Sequence, residues 1–175
     1  MQKFISKRSM TLLVSVALVF AVGVTPSIAQ QRTKISGEMT LTVTKHDTII
    51  IGDTEGHVFS LSAYKGSNKS TGEVKFMDGA QIENSGFSDI VKGNGPHQGY
   101  VKLFQNGDAV FAKWQGEVAT EIAKDGPVTT FKGNFFYIAG TGQFKGIQGR
   151  GTYKGRFTTK TEYIAEWEGE YSNEK

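Results

Sequence analysis

Cysteine is missing from the whole 175-residue chain, which excludes disulfides, thiolate metal centres, a cysteine nucleophile and the lipidated cysteine of a lipoprotein. Proline is scarce as well, with 3 residues against 22 glycines, and no segment shows a helical hydrophobic period. Long apolar runs are absent except at the N-terminus. There Lys3, Lys7 and Arg8 precede the run from Thr11 to Val24, and Thr25-Pro26-Ser27-Ile28-Ala29 follows it. The run falls short of the roughly 18 residues of a membrane span, and small residues sit where a signal peptidase reads. Residues 1–29 are therefore expected to be a secretory signal peptide, and residues 30–175 a single domain that is periplasmic or extracellular and has no membrane span.

An excess of basic charge is the next absence. Loss of Lys3, Lys7 and Arg8 with the leader brings the 20 basic residues level with the 17 acidic ones. A nucleic-acid partner loses its electrostatic basis. An exported domain of this size without disulfides must rest on its hydrophobic core.

What is present is alternation between turn signals, so the mature chain reads as all-β. Ile35 to Lys45 places Ile35, Met39, Leu41 and Val43 on one face. His57 to Tyr64 places His57, Phe59, Leu61 and Ala63 together, which predicts that His57 points inward. Lys65 to Gly72 reads as an exposed loop, His46-Asp47 as a turn, and Thr120 to Pro127 as another loop. Short strands are expected near Glu73 to Met77, Ala80 to Glu83 and Phe87 to Val91.

Asn106-Gly107 is the strongest hairpin signal, because a two-residue type I′ turn needs positive φ at both positions. It sets Val101 opposite Ala112, Leu103 opposite Val110, and Gly99 opposite Trp114, where the glycine leaves room for the indole. A strand from Val128 to Ile138 follows, with Phe131, Phe135 and Tyr137 on one parity. A short loop at Thr159-Lys160-Thr161 then sets Lys154 against Glu166, Thr152 against Glu168 and Arg150 against Glu170. That face reads as a solvated exterior, and Tyr153, Phe157, Tyr163, Trp167 and Tyr171 collect on the other. Glu166, Glu168 and Glu170 stand about 7 Å apart along the strand, too far to share one cation.

The run Gly140-Thr141-Gly142-Gln143-Phe144-Lys145-Gly146-Ile147-Gln148-Gly149, followed by a strand and by Glu166-Trp167-Glu168-Gly169, resembles the C-terminal half of the allene oxide cyclase barrel superfamily. That superfamily also includes the dirigent proteins and small exported bacterial proteins of unassigned function. The resemblance covers about Gly99 to Tyr171. It implies a single antiparallel barrel of about eight strands around an apolar cavity, and assembly as a dimer or trimer. In the cyclases a buried carboxylate and a held water act on an epoxide. Their positions are not carried over, because the N-terminal half departs from the cyclase pattern.

Candidate chemistry is sparse. None of the three histidines, His46, His57 and His97, has a partner at metal-ligand spacing, so no metal and no cofactor are expected. His97 follows Asn94-Gly95-Pro96 at a strand start and is expected at the barrel rim. Gly52-Asp53-Thr54-Glu55-Gly56-His57 gathers Asp53, Glu55 and His57 at one barrel mouth, the candidate acid–base cluster. The glycine run lacks the strand, helix and lysine of a phosphate loop, and no nucleophile elbow is present. Phe59, Trp114, Tyr137 and Trp167 are the candidate ligand-binding residues. The leading expectation is an exported, non-enzymatic barrel that binds a small hydrophobic molecule inside or a partner outside. The alternatives are an isomerase or cyclase acting on a hydrophobic substrate, and a structural or self-assembling secreted protein.

Overall fold

The computed structural model describes residues 32–173; the signal-peptide expectation for residues 1–29 lies outside them. Eight strands follow in order: β1 (Thr33–Ile50), β2 (His57–Ser70), β3 (Gln81–Val91), β4 (Gly95–Gln105), β5 (Asp108–Ala123), β6 (Gly126–Gly140), β7 (Ile147–Phe157) and β8 (Glu162–Asn173). Each pairs antiparallel with its sequence neighbour, and β1 pairs with β8 to close the barrel. Closure leaves no free sheet edge among the described strands. One short 3₁₀ turn, Gly142–Phe144, precedes β7.

Local chemistry fixes the register where the sequence predicts it. Asn106 and Gly107 adopt φ of 52° and 88°, and Gly99 lies opposite Trp114, Val101 opposite Ala112 and Leu103 opposite Val110. In the closing pair Lys154 faces Glu166, Thr152 faces Glu168 and Arg150 faces Glu170. Lys154 Nζ lies 3.1 Å from Glu166 on the exposed surface, while Glu170 is held by Arg32. Inside, the glycines make room for rings. A Cβ on Gly99 would sit 2.5 Å from Trp114 Cζ2 and 2.6 Å from Gly86 Cα. The Ser85 carbonyl oxygen would be nearer still, at 2.2 Å, so Gly99→Ala should force β3 and the indole away from β4 and destabilise the barrel by about 1–3 kcal/mol, measurable by chemical denaturation.

Other segments differ from the sequence reading. Lys65 to Ser70 is strand, and its polar residues are partly interior: Asn68 and Ser70 are buried. Thr120 to Pro127 is a tight hairpin between β5 and β6, and residues 81–91 form one strand rather than two. Glu73 to Met77 is not strand. It belongs to the loop of residues 71–80, whose Phe76 is buried and packs on Phe144 and Tyr171 at centroid distances of 5.3 and 4.9 Å.

That loop closes one end of the barrel, here the base. Asn68 ties it in, its Nδ2 donating to the carbonyls of Phe76 and Met77 at 3.1 and 2.8 Å while its Oδ1 accepts from Trp167 Nε1 at 3.0 Å. The opposite end, the mouth, carries the short connections 51–56, 92–94, 124–125 and 158–161.

His46-Asp47 is not a turn either. A register shift between Val43 and Lys45 leaves Thr44 as an extra residue in β1. The strand continues beyond it with parity inverted, as a β-bulge requires. Before the bulge Ile35 and Leu41 face the core; after it His46 shares the inner face with Ser62.

Candidate functional site

Inward-facing rings do not fill the barrel. A cavity of about 220 Å³ lies between Phe76 at the base and His46 and Val118 toward the mouth. His46 is exposed, so that end meets solvent. No Asp, Glu, Lys or Arg of the described residues lines the cavity; the polar groups are Ser, Asn, Tyr and His. Strand parity explains this. The inner positions of β5 to β8 carry Trp114, Phe131, Phe135, Tyr137, Tyr153, Phe157, Tyr163 and Trp167, and the charged residues alternate outward.

Three polar groupings stand on this lining. Deepest, Trp114 Nε1 donates to Asn84 Oδ1 at 2.9 Å, and Asn84 Nδ2 donates to the Tyr163 hydroxyl at 2.7 Å. Beside it, His97 Nε2 meets the Tyr153 hydroxyl at 3.0 Å, and its ring packs 4.9 Å from Trp114 and 5.9 Å from Phe131. Toward the mouth, His46 Nδ1 lies 2.8 Å from Ser62 Oγ and its Nε2 lies 3.0 Å from Thr48 Oγ1.

Burial controls the protonation of the deeper groups. Desolvation pushes His97 down to about 4, so its imidazole is neutral at physiological pH. The same cause holds the Tyr137, Tyr153 and Tyr163 hydroxyls well above the ordinary tyrosine value, so each keeps its proton.

Of the candidate ligand contacts, Trp114, Tyr137 and Trp167 line the cavity. Phe59 does not. On β2 the inner positions are Ser60, Ser62 and Tyr64, so Phe59 faces outward and packs against Phe87 at 5.5 Å. The apolar alternation of His57, Phe59, Leu61 and Ala63 marks an outer patch, in which Leu61 is 51% exposed.

His57 shares that parity and does not enter the cavity. Its Nδ1 lies 2.5 Å from Asp53 Oδ1 and its Nε2 lies 2.7 Å from Asp89 Oδ1, a clasp between the 51–56 turn and β3. Glu55 pairs with Lys92 at 3.3 Å. The sequence therefore brings Asp53 and His57 together and adds Asp89, but none of Asp53, Glu55 and His57 lines the cavity. Hydrogen bonds to Asp89 and then Asp53 raise the His57 pKa, and the bond to His57 lowers that of Asp53. The stabilisation from His57 is thus complete below its unfolded value of 6.5 and is lost as pH rises through the raised folded value. His57→Ala should remove that alkaline decline from a denaturation series across pH 6 to 9, while a variant with an unchanged profile would show the clasp contributes nothing.

The cavity-lining polar residue that sequence reasoning misplaced is His97. Its parity is that of Gly99, Val101 and Leu103, so extending the Asn106-Gly107 register by one more inward position puts it inside rather than at the rim. Among the described residues no three His, Cys, Asp or Glu side chains gather to hold a metal ion. No helix of the described residues is long and apolar enough to cross a membrane.

Neither a family model nor a curated protein matches the chain. Among solved structures it is similar to the pterocarpan synthase dirigent protein GePTS1, at 11% identity and a TM-score of 0.45, over 90% of this chain and 100% of that one. So weak a likeness assigns this chain neither a ligand nor an activity.

Proposed function

We propose that the protein is an exported β-barrel that holds a small hydrophobic molecule inside the barrel without transforming it. The observation that carries this reading is the aromatic cavity, floored at the base and free of charged side chains. Its volume is under the roughly 300–1,000 Å³ of sites for drug-sized ligands, so the occupant is compact. Both tryptophans of the chain line it, which makes their emission a reporter. Titration with naphthalene should change that emission saturably at one molecule per chain and raise the melting temperature by linkage. Unchanged emission and melting up to the solubility of naphthalene would remove the cavity reading.

Export is supported by the charged, apolar and small-residue segments of residues 1–29. The N-terminus of protein recovered from periplasm or medium should be Gln30; a retained leader contradicts this. An isomerase or cyclase, the alternative class, would draw its acid–base groups from His97 and Tyr153, since Asp53, Glu55 and His57 stand off the cavity.

A second reading, self-association as a dimer or trimer, is favoured by the outer patch of Ile49, Phe59, Leu61 and Phe87. Ile49 is 62% exposed there. Contiguous exposed apolar side chains of this kind mark interaction surfaces. Sedimentation of Leu61→Lys should then give a smaller species than the parent protein, and equal mass for both contradicts it.

A further inference from the structure

We infer that the cavity selects an uncharged ligand bearing one hydroxyl or carbonyl oxygen, which the His97–Tyr153 pair binds, and that it rejects carboxylates of the same shape. This rests on the cavity reading above and adds the class of ligand.

Two features of the lining carry it. First, no Asp, Glu, Lys or Arg side chain of the described residues faces the cavity. An ionised group would be taken out of water there without a counter-charge, a penalty that a neutral oxygen does not meet. Second, the polar side chains are not equally free. The Trp114 N–H and the Asn84 amide are used in one chain that ends on the Tyr163 hydroxyl oxygen, and both ring nitrogens of His46 are engaged by Thr48 and Ser62. The Tyr137 and Tyr163 hydroxyls each keep one O–H but have no imidazole bonded beside them to add a second polar group. Trp167 is committed to Asn68 at the base.

The His97–Tyr153 pair retains capacity. A neutral imidazole has one N–H and one acceptor nitrogen, and a phenol has one O–H and acceptor lone pairs. When the tyrosine donates to Nε2, the Nδ1–H is left over; when Nε2–H donates to the phenol oxygen, the tyrosine O–H is left over. Either tautomer therefore presents one spare donor, and the second also leaves the Nδ1 lone pair. A hydroxyl or carbonyl oxygen accepts that donor. The rings of Trp114 and Phe131 hold the imidazole in place, so the ligand meets a positioned group.

The experiment compares naphthalene, naphthol and naphthoate at pH 7 by tryptophan emission and calorimetry, on the purified protein and on His97→Phe and Tyr153→Phe. Naphthol is expected to bind at least tenfold more tightly than naphthalene, and naphthoate at least tenfold more weakly than naphthol. In His97→Phe the advantage of naphthol over naphthalene should vanish while naphthalene still binds. If that variant does not fold, Tyr153→Phe provides the same comparison and should shrink the advantage. Naphthoate equal to naphthol, or naphthol no better than naphthalene, overturns the inference and leaves the apolar cavity standing. If naphthalene also fails to bind, the cavity reading falls and this inference falls with it.

Discussion

Asn68→Leu should cost about 3–5 kcal/mol of unfolding free energy, because it leaves two groups at the sealed base without partners. The side chain is 2% exposed, and its Oδ1 accepts the Trp167 indole N–H. Its Nδ2 also holds the carbonyls of Phe76 and Met77; Met77 keeps a second partner in the Ala80 N–H, whereas Phe76 loses its side-chain donor. Leucine is close in size, so the effect isolates hydrogen bonding from cavity formation. Urea denaturation monitored by far-UV circular dichroism measures it. Phe76→Ala should fall in the same range, about 3–5 kcal/mol, for the different reason that a buried ring is deleted. A near-neutral Asn68→Leu would mean that the base is held by packing alone.

His97 gives the other large effect, and its sign is opposite to that of His57. Its folded value of about 4 is below the unfolded 6.5, so between those values the unfolded chain binds more protons than the native one. Stability should therefore fall as pH drops from about 6.5 and level off below about 4. The full difference corresponds to about 3 kcal/mol, and the water reaching the mouth reduces it. The titratable groups that share the cavity lining with His97 are Tyr153, Tyr64, Tyr137 and Tyr163, all neutral throughout this range, and His46 toward the mouth, from which the comparison with His97→Phe separates it. His97→Phe should flatten the acid limb of the profile relative to the parent protein. A parent and variant with parallel acid limbs would show that His97 protonates in the native state without penalty.

The parts of the fold legible in the sequence were those set by local turns and clean alternation. Asn106-Gly107 determines a register on its own, and the Lys154, Arg150 and Glu166 to Glu170 pattern determines which face of the closing hairpin meets water. What escaped was set by long-range packing. The bulge at Thr44 reverses the parity of β1 and turns His46 inward, and nothing in Thr44 itself announces it. Lys65 to Ser70 has loop composition, yet Asn68 and Ser70 are interior because they secure the base loop. The rule that apolar residues face the core predicts an inward His57 and Phe59. Near the mouth the rule inverts, since Ser60 and Ser62 take the buried inner positions and the apolar side chains form the outer patch. His97 alone was recoverable, by carrying a register already in hand two residues further.

The most direct measurement is a crystal structure after soaking with a brominated naphthol, with the bromine located by its anomalous signal. The account predicts one bromine site inside the barrel among Trp114, Phe131 and Tyr137, with the naphthol oxygen in hydrogen-bonding reach of His97 or Tyr153. An empty barrel, with the bromine instead on the outer patch of Ile49, Phe59 and Leu61, would contradict it.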